Sequence, residues 1–178
     1  MQERRSELPI AEVLTGAHNL GDFSSENNEL TAYLKENALE EQREKTSTTH
    51  VLLDDSRDII GYFTLLNDSI RVANINEEDK VEGYSYGAYP AVKIGRLAVH
   101  KDYARKGLGT FMLSLSVSYI FDIHRYSGCR MVTVDAKKGA EGFYEKFGFR
   151  KTTVKGKDNE TVKMYMDIAA FLMAHDNG

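Results

Sequence analysis

One stretch constrains this chain more than any other. Residues 91–110 read AVKIGRLAVHKDYARKGLGT. Apolar, strand-forming residues run from Ala91 to Val99, a polar turn covers His100 to Tyr103, and a basic loop punctuated by glycine follows from Arg105 to Thr110. An apolar helix opens straight after it. A strand leading through glycines into a helix N-terminus is a layout that binds phosphate. Glycine lets backbone approach without a Cβ clash, and the first N–H groups of a helix have no partner within the helix. The helix dipole adds partial positive charge there, and Arg105 and Lys106 add whole charges.

The rest of the chain has to supply a sheet and a core for that unit. At 178 residues it has the length of one domain. Charge is uneven: residues 1–90 carry 8 Lys and Arg against 18 Asp and Glu, whereas residues 91–178 carry 15 against 9. A basic half that contains the glycine loop suits a polyanionic ligand. The single cysteine, Cys129, excludes an internal disulfide and reads as a buried, inert thiol. No apolar run reaches the roughly 20 residues needed to span a bilayer, and no secretory leader is expected in MQERRSELPI, so a cytoplasmic protein without membrane contact is expected. His18, His50, His100, His124 and His175 show no metal-ligand spacing, and no metal site is expected.

Periodicity sets the expected elements. Leu8–Leu14 reads as a weak first strand. Ser24, Ser25 and Asn27 offer N-caps for a helix running to about Lys45, with Leu30, Tyr33, Leu34, Ala38 and Leu39 as its apolar stripe. Thr46–Leu53 and Ile59–Leu65 form a hairpin, which residues 68–72 extend after a kink. Residues 73–90 form a long loop with Glu77, Glu78, Asp79 and Glu82 followed by Tyr84, Tyr86 and Tyr89. It either walls a pocket for a cationic substrate or is simply solvated. A helix spans Gly107 to about His124, a buried strand Met131–Val134, and a short helix Ala140–Lys146 that Gly148 ends. Phe149–Val154 and Thr161–Asp167 close a hairpin around residues 156–159, and a helix starts near Ile168. The alternation of strands and helices predicts an α/β or α+β fold on a mixed sheet.

Two familiar phosphate loops are absent. There is no G-x-x-x-x-G-K-S/T pattern, and Gly107-Leu108-Gly109 lacks the third glycine of a dinucleotide fingerprint because residue 112 is Met. The region instead resembles the pyrophosphate loop of the GNAT acetyltransferases, a strand ending in L-A-V, then Q/R-x-x-G-x-G/A opening a helix. Leu97-Ala98-Val99, Gly107 and Gly109 match; the first loop position is Ala104, with Arg105 one residue later. Val134-Asp135-Ala136 followed by Gly142-Phe143-Tyr144-Glu145-Lys146-Phe147-Gly148-Phe149 is similar to the family's second landmark. The similarity covers roughly residues 46–166.

The resemblance implies a single GNAT domain over residues 1–178, with its cofactor-binding core at about 91–150. Its fold is a mixed, mostly antiparallel sheet flanked by helices, with splayed strands at the cofactor site. It implies acetyl-CoA as acetyl donor, held by Leu97, Ala98 and Val99 along the pantetheine arm and by Arg105, Lys106, Gly107, Leu108, Gly109 and Thr110 at the pyrophosphate. Tyr144 is then the proton donor to the leaving thiolate, and the acceptor a primary amine of a small molecule or protein. The general base stays open among His100, Glu77, Glu78 and Glu82, and Arg96 is read as structural or as a substrate contact. An alternative is the GNAT toxins that acetylate aminoacyl-tRNA and are held by an antitoxin, which FSSENNELTAYL, GYFTLL, RLAV and FYEKFGF resemble; a non-catalytic CoA-binding module is a third. The family also makes a homodimer a possible assembly.

Overall fold

The computed structural model describes residues 9–154 and 160–175, with side chains through Leu172. The turn expected at residues 156–159 and the tail at residues 176–178 lie outside the described residues. Seven strands are laid out in the order β1-β2-β3-β4-β5-β7-β6. They are β1 (Ile10–Val13), β2 (Thr48–Leu53), β3 (Ile59–Arg71), β4 (Ala88–Val99), β5 (Met131–Lys137), β6 (Arg150–Lys151) and β7 (Thr161–Asp167). The β1–β2, β2–β3, β5–β7 and β6–β7 pairs are antiparallel, and β4–β5 is parallel. Five helices accompany them: α1 (Asn28–Glu36), α2 (Ala38–Arg43), α3 (Leu108–Ile123), α4 (Glu141–Phe147) and α5 (Ile168–His175). This is the mixed α/β sheet expected from the alternation of elements, and the mostly antiparallel layout that the family resemblance implies.

The chain divides into two compact units. The first comprises Met1–Leu65 and Arg96–Leu113, and the second Leu66–Gly95 and Ser114–Gly178. β3, β4 and α3 run from one to the other.

In the first unit, Asn27 caps α1: its side-chain oxygen accepts from the Glu29 and Leu30 N–H groups at 2.9 and 3.3 Å. The single helix expected to Lys45 is broken at Asn37 into α1 and α2. The apolar stripe does its expected work: Tyr33, Leu34 and Ala38 are buried with Leu14, Phe23, Val51, Leu53, Ile59, Tyr62 and Ala98. β3 is one uninterrupted 13-residue strand, buried at its first seven positions and alternating only afterwards, as strands do where one face meets water.

In the second unit, Ile70, Ile75, Tyr89, Ala91, Met131 and Tyr165 make the core. The long loop is not structureless. Two short 3-10 turns at Val72–Asn74 and Glu77–Asp79 precede β4, which begins at Ala88. β4 and β5 pair from Ala91↔Met131 to Ile94↔Val134; β5 continues to Lys137 against β7, and β4 continues alone on that side from Gly95.

Candidate active site

In the first unit, β4 delivers Leu97, Ala98 and Val99 with alternating burial. Ala98 is 4% exposed and packs into the core, while Leu97 and Val99 are half-buried. The turn after the strand is fastened to the segment before α1. The His100 N–H donates to the Ile60 carbonyl and the Lys101 N–H to the Ser24 carbonyl, each at 2.8 Å.

His100 does not face solvent as a free base. Its side chain is 14% exposed. Nδ1 accepts the Asp102 N–H at 3.2 Å, which leaves the proton on Nε2, and Nε2 donates to the Asp22 carbonyl at 3.2 Å. The ring sits edge-on to Phe23 and Tyr103. These bonds hold the imidazole in a structural role.

The loop then turns twice through left-handed backbone, at Arg105 (φ 60) and Gly107 (φ 83). Gly107 has open space around it, so conformation and not crowding demands glycine there. α3 begins at Leu108, and its first bond runs from the Phe111 N–H to the Gly107 carbonyl at 3.1 Å. The N–H groups of Leu108, Gly109 and Thr110 precede that bond and are the ones a helix start leaves for a ligand. A pyrophosphate fits this donor set. The two cations have protein partners: Arg105 pairs with Glu26 at 3.2 Å, and the Lys106 ammonium donates to the Asp102 carbonyl at 2.8 Å over the Tyr103 ring. The same turn borders a cavity of about 310 Å³ that includes Asp22, Asp54, Asp58 and Asp102, a lining that repels phosphate.

The structure adds a contact that periodicity hid. Arg96, exposed on β4 directly before Leu97, lays its guanidinium over the ring of Tyr33, Cζ to centroid 4.7 Å. Tyr33 reads in the sequence as one more apolar-stripe residue, and no local signal links it to position 96.

In the second unit, Tyr144 stands on α4, edge-on to Phe143 (5.0 Å) and Phe149 (5.6 Å). Gly148 ends the helix in left-handed backbone (φ 108), and the Phe149 N–H closes on the Tyr144 carbonyl at 3.0 Å. Burial pushes the Tyr144 phenol above its ordinary pKa of 10. Phe149 is buried at 2% exposed and carries the packing load that Tyr144 would otherwise bear.

The acidic loop of this unit is not merely solvated. Arg150 grips both Asp79 oxygens at 2.7 and 2.8 Å and also pairs with Glu78, while Glu77 pairs with Lys80. Tyr165 donates to Asp79 at 2.5 Å. The carboxylates tie the loop to β6 and β7. Tyr84 and Tyr89 border an apolar cavity of about 420 Å³ that also includes His124, Cys129 and Leu172. Burial raises the Cys129 pKa, in keeping with an unreactive thiol. Among the described residues no group of three or more His, Cys, Asp or Glu could hold a metal ion.

Comparison with known proteins places this arrangement. The chain is similar throughout to the structure of AtaT complexed with acetyl-methionyl-tRNAfMet, with 20% identity and a TM-score of 0.84 over 94% of this chain and 99% of that one. A tyrosine-to-phenylalanine mutant of KacT gives 18% identity and 0.83 over 94% and 99%. A mutant AtaT toxin bound to the C-terminus of the antitoxin AtaR and acetyl-CoA gives 18% and 0.75 over 96% and 99%. At these identities the likeness is one of fold. The profile of the acetyltransferase (GNAT) domain matches residues 19–170. The chain therefore belongs to the GNAT acetyltransferases, and it is an N-acetyltransferase whose donor is acetyl-CoA.

Proposed function

We propose that this chain transfers an acetyl group to the α-amine of an aminoacyl-tRNA and works as the toxin of a toxin–antitoxin pair. The observation that carries the reading is the state of the candidate bases. An amine attacks only when neutral. His100 is locked by two hydrogen bonds, and Glu77 and Glu78 are held in ion pairs. With three of the four candidate bases so engaged, an acceptor that loses its proton easily is favoured. An α-amine has a pKa near 8 against about 10.4 for lysine, so roughly 10²-fold more of it is neutral at pH 7. The whole-length likeness to AtaT complexed with acetyl-methionyl-tRNAfMet supports the same acceptor class, and the likeness to the AtaR-bound toxin supports an antitoxin partner. The basic C-terminal half suits a polyanion.

The chain's residues divide the work. The Gly107 turn and the first N–H groups of α3 bind the pyrophosphate. The Leu97 and Val99 backbones hold the amide-bearing arm as an added strand would. Bound there, the donor presents an acetyl thioester. A backbone N–H of the β4 segment supports the developing oxyanion. Tyr144 keeps its proton at neutral pH, because burial raises its pKa, and gives it to the departing sulfur. The proton shed by the amine restores the phenol.

A panel of charged tRNA, lysine peptides and small amines, run with wild type and Tyr144→Phe, tests the reading. The expected result is acetylated aminoacyl-tRNA with wild type and a 10²- to 10⁴-fold slower rate with the variant. Turnover of lysine or a small amine with none of charged tRNA overturns it in favour of the small-molecule or protein acceptor.

A further inference from the structure

The turn between β4 and the glycine loop is pinned through a tyrosine. Tyr103 closes the 3-10 helix Lys101–Tyr103, and its hydroxyl donates to Asp54 Oδ2 at 2.9 Å. Asp54 is a fixed acceptor. It stands at the turn joining β2 to β3, where its other oxygen accepts the Ser56 and Asp58 N–H groups at 2.9 and 3.0 Å. Backbone bonds close the same turn: the Asp54 N–H donates to the Asp58 carbonyl at 3.1 Å and the Arg57 N–H to the Asp54 carbonyl at 2.9 Å. A phenol bonded to a carboxylate makes the stronger, charge-assisted kind of hydrogen bond, and both residues are half-buried.

The ring of Tyr103 is engaged as well. The Lys106 ammonium lies over it, 5.7 Å from the centroid, and donates back to the Asp102 carbonyl at 2.8 Å. The His100 ring stands edge-on to it at 6.0 Å. Only Ala104 to Gly107 separate Tyr103 from the first residue of α3, and Arg105 and Gly107 among them are left-handed. Backbone donors hold a pyrophosphate only while they converge on it, because a hydrogen bond weakens steeply as it bends toward about 120°. Something must therefore fix where this short loop starts. Ala104 has no polar side chain, and the Arg105–Glu26 pair is 85 and 63% exposed, a weak tether. The bond from Tyr103 to Asp54 is the sheltered one.

We propose that Tyr103, held by Asp54, is a positioning residue for the donor: it sets where the Arg105–Thr110 loop and Lys106 meet the pyrophosphate. This rests on the reading of that loop as the pyrophosphate site and holds whichever amine accepts the acetyl group. Tyr103 touches no part of the donor in this assignment. It acts through the backbone that follows it and through Lys106, and Asp54 acts through Tyr103.

The test measures, by calorimetry, the binding of acetyl-CoA and of acetyl-pantetheine, the same thioester without phosphates, to wild type, Tyr103→Phe, Asp54→Asn and the double variant. Phenylalanine keeps the ring under Lys106 and removes only the hydroxyl. Tyr103→Phe and Asp54→Asn are each expected to weaken acetyl-CoA binding about three- to tenfold, and the double variant no further than the weaker-binding single. Acetyl-pantetheine affinity is expected to stay at its wild-type value. With the acceptor that the amine panel identifies, KM for acetyl-CoA rises by the same factor while kcat holds. Equal losses for the two ligands mean a general loss of structure and overturn the assignment. Additive losses in the double variant overturn it too, as does an unchanged acetyl-CoA affinity in Tyr103→Phe. Each of these leaves the pyrophosphate reading intact. A wild type that binds the two ligands equally well overturns both.

Discussion

Arg105 shows how much one residue's backbone can decide. Its φ of 60 lies in the left-handed region, which costs a non-glycine residue roughly 1–2 kcal/mol. Its exposed pair with Glu26 returns at most about 1 kcal/mol. Arg105→Gly is therefore expected to hold or slightly raise thermal stability while weakening acetyl-CoA binding, which differential scanning fluorimetry and calorimetry together would read. Gly107→Ala, at φ 83, is expected to lose about 1 kcal/mol and to weaken acetyl-CoA binding as the turn distorts.

The tyrosines make a second residue-scale point. Burial raises the pKa of Tyr33, Tyr62, Tyr144 and Tyr165. A raised folded-state pKa means the native state holds its proton more tightly than the unfolded chain. Stability from these groups is complete below about pH 10 and is lost as pH rises through the folded values. An absorbance titration at 295 nm should show a fraction of the ten tyrosines ionising only together with unfolding. Independent ionisation of all ten near pH 10 would contradict their burial.

Among the elements, β3 and the N-terminal part of α3 approach closely at Gly61. A Cβ there would lie 2.6 Å from Met112 Sδ and 3.2 Å from the Ala98 carbonyl oxygen. Glycine lets the helix that begins the phosphate loop settle onto the strand. Gly61→Ala is expected to destabilise by about 1–3 kcal/mol through overpacking. Adding Met112→Ala should recover part of that loss, giving a non-additive double-mutant cycle in urea unfolding. Strict additivity would mean that the Ala98 carbonyl, and not Met112, sets the limit.

These same elements mark where sequence reading succeeds. β2, α3, α4 and the Gly148 stop stand within a few residues of their expected places, because local pattern and local chemistry agree there. The break at Asn37 and the uninterrupted run of β3 to Arg71 were not legible. Both depend on what packs against the segment. The ties of the acidic loop were hidden for a related reason: its carboxylates find Arg150 more than 70 positions away in sequence.

For the whole molecule, ligand linkage gives the broadest check on the site. A donor that binds only the native state stabilises it by about 2.7 kcal/mol at 100 times its Kd. Acetyl-CoA should therefore raise the melting temperature of wild type by several degrees, more than CoA lacking its phosphates does. Equal shifts would remove the phosphate loop from the binding site.

The amino-acid sequence by itself determined the family. LAV, the glycine loop and FYEKFGF each encode local backbone geometry, and local geometry is written in consecutive residues. It also pointed to β4 and the start of α3 as the proposed place of the donor. Only the tertiary structure decided what the charged side chains do. Arg105 and Lys106 turn to protein partners, His100 is locked by the turn it sits in, and Arg96 is seated on Tyr33 from another element. Such pairings join residues distant in the chain. They follow from the fold's packing of strand against helix, which periodicity can foresee as burial but not as partnership.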